Sequence, residues 1–350
     1  MRPLNTVQIS LLIQQTGPAG IWSPSAEACA RLAVSEINRQ SGILRQHVEL
    51  VVEDAGTTDA DARAAARRAI RNGAQGIVGM LPSYARHAVA ASTFNVVPFI
   101  YTPQYEGIAP EAQTITTGET AEELLAPGLR WLSDHRNARR YFLCGSDYVW
   151  PRTSLSIARS MIPRVGGEVV GEAYMPVGTD DYDSLIARIK RAKPDVVLPY
   201  FLGGDGIAFN RAFHEAGLCP HVLRFTSAID ETIVYGLPPE ATENLFVSSG
   251  YFASVRSHNN GAFLERYHTA YGDAPPPVNS FGQSCYEGIY SLASLVERAE
   301  VFDARAIHRL AGRIQQQRTA RGSKSKAVVG GRHPIFLARL DGYDFKLLAV

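Results

Sequence analysis

Short runs of β-branched and other apolar residues alternate along this chain with longer segments whose apolar residues recur at the helical period, and that alternation narrows the fold more than any other feature. Thr6 to Leu12 is the first run. The next segment, Ser25 to Arg39, sets Ala26, Cys29, Ala30, Ala33 and Ile37 along one helical face before Ser41-Gly42 stops it. His47 to Val52 reads as a strand, Asp59 to Arg71 as an Ala/Arg-rich helix and Gly76 to Met80 as a short buried strand. Ser83 to Asn95 is a further helix, and Pro98 to Tyr101 a further strand. Strands separated by helices of this length pair in parallel, because a parallel connection needs a long crossover.

The rhythm restarts after Thr114-Ile115-Thr116. Helices are predicted over 121–132, 154–165, 182–192 and 206–216, with strands over 140–144, 168–175, 196–200, 222–227 and 245–251. Two long helical patterns, Gly261 to Tyr271 and Ser280 to Ala299, then follow with no strand between them, so they must cover a sheet made elsewhere. Returning the chain to the first lobe supplies that sheet. The expected division is therefore residues 1–117 with 250–327 as one lobe and 118–249 with 328–350 as the other. Phe336 to Val350 forms a terminal β-hairpin turning at Asp341-Gly342. The expected fold class is α/β, two doubly wound parallel-sheet lobes joined by crossovers, and 350 residues suit two cores. Open sheets of this kind bind ligands beyond the carboxyl ends of their strands, which predicts a ligand cleft between lobes that open and close.

Composition removes several functions. Lys plus Arg number 35 against 34 Asp plus Glu, a net charge of +1, so no long-range field draws the chain to nucleic acid directly or to an anionic membrane. The four cysteines, Cys29, Cys144, Cys219 and Cys285, lack metal-finger or Cys-x-x-Cys spacing and read as small buried hydrophobes. The sequence carries no Gly-x-Ser-x-Gly, Walker, His-Glu-x-x-His or dinucleotide-loop motif, and the Gly203-Gly204-Asp205-Gly206 turn has the wrong spacing for the last of these. Neither a cofactor nor catalysis is expected. The basic stretch with Arg313, Arg318, Arg321, Lys324, Lys326 and Arg332 reads as a solvated loop, with a contact surface for a partner or RNA as the sharper alternative. Val7 to Ile13 is interrupted by Gln8 and Ser10, so a start at Met1 predicts a cytoplasmic protein, and a periplasmic one if a signal was removed.

The binding reading comes from loops at strand ends. Strand Gly76 to Met80 leads through Leu81-Pro82 to Ser83, the expected N-cap of the next helix, whose hydroxyl and exposed N–H groups suit a carbonyl or carboxylate oxygen. Tyr101-Thr102-Pro103-Gln104-Tyr105-Glu106-Gly107 follows the next strand, and Gly145-Ser146-Asp147-Tyr148-Val149-Trp150 follows one in the second lobe. With Trp22 after the first strand, they describe an aromatic-lined pocket with a few polar groups.

These motifs, with Glu53-Asp54-Ala55-Gly56, Pro151-Arg152, Ile189-Lys190 and Lys193-Pro194-Asp195-Val196-Val197, resemble the type I periplasmic-binding-protein family over nearly the whole chain. The Tyr-Glu-Gly and Ser-Asp-Tyr elements resemble its branched-chain amino acid, urea and short-chain amide group, and especially the cytoplasmic amide sensors of aliphatic amidase operons. The resemblance implies ligand contacts from Ser83, Tyr101, Thr102, Pro103, Gln104, Tyr148 and Trp22. Gln104 stands where the sensor pattern has Pro, and resembles the urea-transporter branch. An α-amino acid ligand would need a carboxylate at its ammonium, for which Asp205, Asp230 and Glu231 are the candidates, with helix capping the rival role for the last two. The expected function is a sensor of a small neutral amide or urea that acts through an antiterminator protein. The alternative is an importer's solute-binding component with a membrane permease as partner, and a homo-oligomer is compatible with either.

Overall fold

The computed structural model describes residues 6–316, 318–321 and 331–349, and in it the alternating pattern builds two separate sheets. The first arises from β1 (Thr6–Ile13), α1 (Ser23–Arg39), β2 (His47–Asp54), α2 (Asp59–Arg71), β3 (Gly76–Met80), α3 (Ser83–Thr93), β4 (Phe99–Tyr101) and β5 (Thr114–Thr116). Its order is β2-β1-β3-β4-β5, and every pairing is parallel. The Thr114 to Thr116 segment, expected only as a restart of the pattern, is thus the edge strand.

The chain continues through α4 (Ala121–Arg136), β6 (Arg140–Ser146), α5 (Val149–Met161), β7 (Glu168–Met175), α6 (Asp183–Ala192) and β8 (Val196–Tyr200). Then come α7 (Gly204–Glu215), β9 (Leu223–Thr226), α8 (Glu231–Val234) and β10 (Leu245–Ser249), followed by α9 (His258–Tyr271), α10 (Ser280–Ala299) and α11 (Ala304–Leu310). The hairpin of β11 (Phe336–Asp341) and β12 (Asp344–Leu348) closes the chain. The second sheet runs β12-β11-β10-β9-β8-β6-β7. It is parallel only as far as β10, because β11 and β12 pair antiparallel. The tight turn at Gly342, with φ of 59°, cannot make a parallel crossover, and it joins these two strands as the terminal hairpin expected from Asp341-Gly342.

Two compact units result, residues 1–118 with 256–334 and residues 119–255 with 335–350. In the first, Ala62, Ala65, Ala66 and Ala69 of α2 and Ala85 and Val89 of α3 pack on Ile77, Phe99 and Tyr101. Helix α10 packs on α1 and on β3 and β4, and is buried along its length from Phe281 to Val296. In the second unit the pleat alternates cleanly. Tyr141, Leu143, Val196 and Leu198 face α4 and α5, whereas Phe142, Cys144 and Val197 face α6 and α7. All four cysteines are buried free thiols.

One expectation about charge needs correction. Arg321 is buried, not solvated: its Nε donates to Glu287 Oε2 at 2.8 Å and its Nη2 to the same oxygen at 2.5 Å. Burial alone would raise the Glu287 pKa, but Arg321, with His333 and Thr319, holds it below the ordinary value. Arg318 lies 3.5 Å from the buried Glu36. Arg313 and Arg332 are exposed, and Lys324 and Lys326 lie outside the described residues.

Gly128, inside α4, faces the ring of Phe225 on β9, where an added Cβ would lie 2.0 Å from Cζ. Alanine usually stabilises a helix interior relative to glycine by up to about 1 kcal/mol. Here overpacking reverses the sign: Gly128→Ala is expected to destabilise by about 1–3 kcal/mol, read as a lower midpoint in urea unfolding. An unchanged or raised midpoint would show that the two elements do not pack this closely.

Candidate functional site

Strand order reverses between β1 and β3 in the first sheet and between β6 and β8 in the second. At such a switch point the connections leave in opposite directions and expose the carboxyl ends of the strands.

In the first unit Ser83 opens α3 but does not cap it. Pro82 takes the N-cap position, and proline offers no side-chain acceptor for the helix N–H groups. The Ser83 hydroxyl turns instead to Glu106 and donates to Oε2 at 2.7 Å. Arg86, one turn further along α3, places Nη2 2.8 Å from Glu106 Oε1 and Nε 3.0 Å from Glu111 Oε2. The Arg86 and Glu106 side chains are only 6% and 1% exposed. The guanidinium also lies over two rings, 5.3 Å from the Tyr101 centroid and 5.6 Å from that of Tyr105. Arg86 is the residue that the sequence reading missed. Its place one turn from Ser83, with Glu106 in the facing loop, was the available signal.

The other first-unit residues differ in accessibility. Tyr101 is fully buried and donates its hydroxyl to the Leu81 carbonyl at 2.8 Å; burial pushes its phenol far above the usual range. Thr102 is equally buried, bonded through its N–H to Gly79 O at 3.0 Å, and accepts from Ser284 at 3.2 Å. Both therefore belong to the wall beneath the loop. Pro103 is buried and Gln104 half-buried. Gly118 lets the chain pass close to this loop, since a Cβ there would meet Pro103 O at 2.0 Å. Trp22 ends a 3-10 turn, Pro18–Trp22, is 4% exposed, and packs its ring 4.1 Å from that of Phe281. Its indole Nε1 has no hydrogen-bond partner among the described residues. Gln14, just past β1, donates to Gly56 O at 2.7 Å and to the Tyr84 hydroxyl at 2.5 Å, a link that the sequence reading also missed.

In the second unit Tyr148 precedes α5, half-buried, with its ring 6.4 Å from Trp150. Asp147 and Arg152 pair beside it at 2.5 Å, and Arg152 lies 4.3 Å from the Tyr174 centroid. Asp205 is buried and accepts from Gly178 N–H at 3.0 Å and from Ser146 at 3.4 Å. Burial raises its pKa. Asp230 caps α8: its Oδ1 accepts from Thr232 N–H at 2.9 Å and Ile233 N–H at 3.1 Å. Of the two roles considered for it, capping is the one its geometry displays. Next to it Glu231 is buried and accepts from Ala253 N–H at 2.7 Å, while Oε2 has no hydrogen-bond partner among the described residues. Burial, and then the charge of Asp230, push its pKa up to about 8.

Among the described residues, no group of three or more His, Cys, Asp and Glu side chains could hold a metal, and no helix is long and apolar enough to cross a membrane. The periplasmic binding protein family profile matches residues 6–341. The Leu/Ile/Val-binding protein BraC3 of Rhizobium johnstonii is 26% identical over 221 residues, 60% of this chain and 58% of that protein. This match therefore spans less than two thirds of BraC3. A Leu/Ile/Val-binding protein homolog of Brucella abortus is 24% identical over 332 residues, 86% of this chain and 79% of its own length. Among solved structures, the branched-chain amino acid transporter substrate-binding protein LivJ of Streptococcus pneumoniae, in complex with isoleucine, superposes with a TM-score of 0.83 at 18% identity, covering 98% of this chain and 99% of that one. A solute-binding protein of an R. palustris ABC transporter in complex with 4-hydroxybenzoate gives 0.81 at 18% identity over 98% and 95%.

Two outcomes follow from the buried charges. Arg86→Met strands Glu106 in the interior and is expected to cost about 3–5 kcal/mol of unfolding free energy, whereas an exposed pair would cost under about 1. Glu231 binds its proton more tightly in the folded than in the unfolded chain, so its contribution to stability is present at low pH and fades as pH rises from about 5 through 8. Urea titrations across that range should show Glu231→Gln gaining on the wild type as pH rises; parallel curves would mean that the carboxyl is solvated.

Proposed function

Because this chain belongs to the periplasmic binding protein family, we propose that it is a non-enzymatic solute-binding component of an ABC importer, selective for a small polar molecule of amino-acid or amide size. The match across residues 6–341 carries this reading, supported by curated relatives of the Leu/Ile/Val-binding type. Recognition would draw on Ser83, Gln104 and Trp22 in one unit and Tyr148 in the other, all of which lie just past strands of the two sheets. Tyr101, Thr102 and Pro103 would support the loop from below. A membrane permease is then the partner, and the periplasm the place of work.

The sequence alone favoured a cytoplasmic amide sensor with an antiterminator partner. The curated relatives reported above are of the Leu/Ile/Val-binding type, and they support the importer better than the sensor. Amidase chemistry has no support either. Ser83 is bonded to a carboxylate already ion-paired with Arg86, so it lacks the free base that would make it a nucleophile.

Calorimetric titration with leucine, isoleucine, 4-hydroxybenzoate, acetamide and urea tests the proposal. Saturable one-to-one binding is expected for at least one of them, weakened about ten-fold or more by Tyr148→Ala as one aromatic contact is lost, with little change in thermal midpoint. A response confined to acetamide and urea would restore the sensor reading. No binding in the whole panel would sink both.

A further inference from the structure

We infer that the outer edge of β2 pairs with the same edge of a second copy of this chain, antiparallel about a two-fold axis at Val51, so that the two first-unit sheets become one. β2 is an edge strand, paired on one side only, to β1. In a parallel ladder successive residues of a strand turn their N–H and C=O groups alternately to one side and the other. The odd residues here face β1, since Ala55, next in line, donates its N–H to Ile13 O at 2.9 Å. The even ones face outward. At one end Asn38 closes Val48, accepting from its N–H at 2.8 Å and donating to its carbonyl at 2.9 Å, and at the other Arg68 Nη2 lies 3.4 Å from Asp54 O. Between them Leu50 and Val52, both half-buried, turn N–H and C=O outward with no hydrogen bond to a further element among the described residues.

An open edge of this kind is a template for another strand, and its own pattern suits a copy of itself. A two-fold axis through the edge makes the paired strands antiparallel. One register lets both open residues pair while sparing Val48 and Asp54: Leu50 opposite Val52 of the second copy, and Val52 opposite its Leu50, each pair exchanging both N–H···O bonds. Val51 then meets Val51 in a pair without hydrogen bonds, where Cα atoms stand about 4.5 Å apart and side chains touch. Glu49 comes opposite Glu53 of the second copy, and Arg68 keeps that contact from being repulsive. Its Nε holds Glu53 Oε2 at 2.7 Å while its side chain stays 45% exposed, which leaves further N–H groups of the guanidinium for Glu49 of the second copy. Glu49 is exposed and has no ion pair of its own among the described residues. By symmetry the contact is made twice.

Sedimentation velocity of the wild-type chain across micromolar concentrations is expected to show monomer converting to dimer. Val51→Lys, which sets ammonium against ammonium at the axis, and Glu49→Lys, which sets one against Arg68, should each weaken the dimer about ten-fold or more, and a thermal melt shows that each variant is folded. A cross-link reads the register without relying on either. Under copper phenanthroline oxidation Val51→Cys should form a disulfide-linked dimer. The exposed position of His47→Cys lies more than about 20 Å from its counterpart in this register and should not cross-link, and the native cysteines are buried. A wild type that stays monomeric throughout would overturn the inference and leave the solute-binding reading untouched. A dimer unaffected by Val51→Lys would overturn it too, by placing the contact on another face. Equal cross-linking at positions 47 and 51 would overturn the register and the inference with it.

Discussion

A parallel strand buried on both faces holds a polar side chain only at a cost that partners must offset, as Asn210 and the Ala241 and Glu243 carbonyls do for Arg224 on β9, and this constraint organises the molecule. Along β6 and β8, successive residues enter opposite apolar cores, Tyr141 and Leu143 on one side and Phe142 and Cys144 on the other. Chemistry is thereby exported to the strand ends. There the pleat stops, the backbone turns into a helix, and Ser83, Gln104, Tyr148 and Glu231 sit within a few residues of the last ladder bond. The fold thus fixes where polar and aromatic groups can stand without fixing which groups they are.

Burying charged groups, at strand ends or inside helices, has a cost, and the chain meets it in different ways. Glu106, Glu287 and Glu36 each have an arginine within ion-pairing distance. Glu36 also accepts from the hydroxyls of Tyr286 and Tyr290, both at 2.7 Å, so several donors share one buried carboxylate. Glu231 has a backbone N–H and the like charge of Asp230 for neighbours, which explains why it holds its proton into the neutral range. The paired carboxylates act as fixed acceptors that orient hydroxyls. Glu231 is by contrast a group whose charge state depends on what comes near it.

The strands and most helices were legible because their signal is local: a period of two or 3.6 and a stop such as Ser41-Gly42. The reason for expecting the chain to return to its first lobe was of another kind, two helical patterns with no strand between them. Three features resisted. Arg321 looked like part of a basic loop because Glu287 is 34 residues away in sequence, and charge runs carry no record of distant partners. Ser83 looked like a cap because serine is a strong N-cap residue, yet Pro82 before it was the clue that the helix had begun one residue earlier. The three-residue β5 is too short to show any period. At the site, residue types were readable and proton directions were not, since those depend on Glu106 folding back over α3.

That last distinction bears on how relatives should be used. The isoleucine complex and the 4-hydroxybenzoate complex share this fold at the same 18% identity, so backbone similarity alone cannot say which ligand a chain prefers. A serine at the start of the third helix is equally uninformative by itself, because a hydroxyl can donate or accept. Its partner on the protein side decides. Here that partner is a carboxylate, so the Ser83 hydroxyl donates inward to Glu106. The orientation of that hydroxyl is therefore set by the buried Glu106 and Arg86 pair, a support that lies outside the stretch from β3 to Ser83 and that backbone similarity does not reveal.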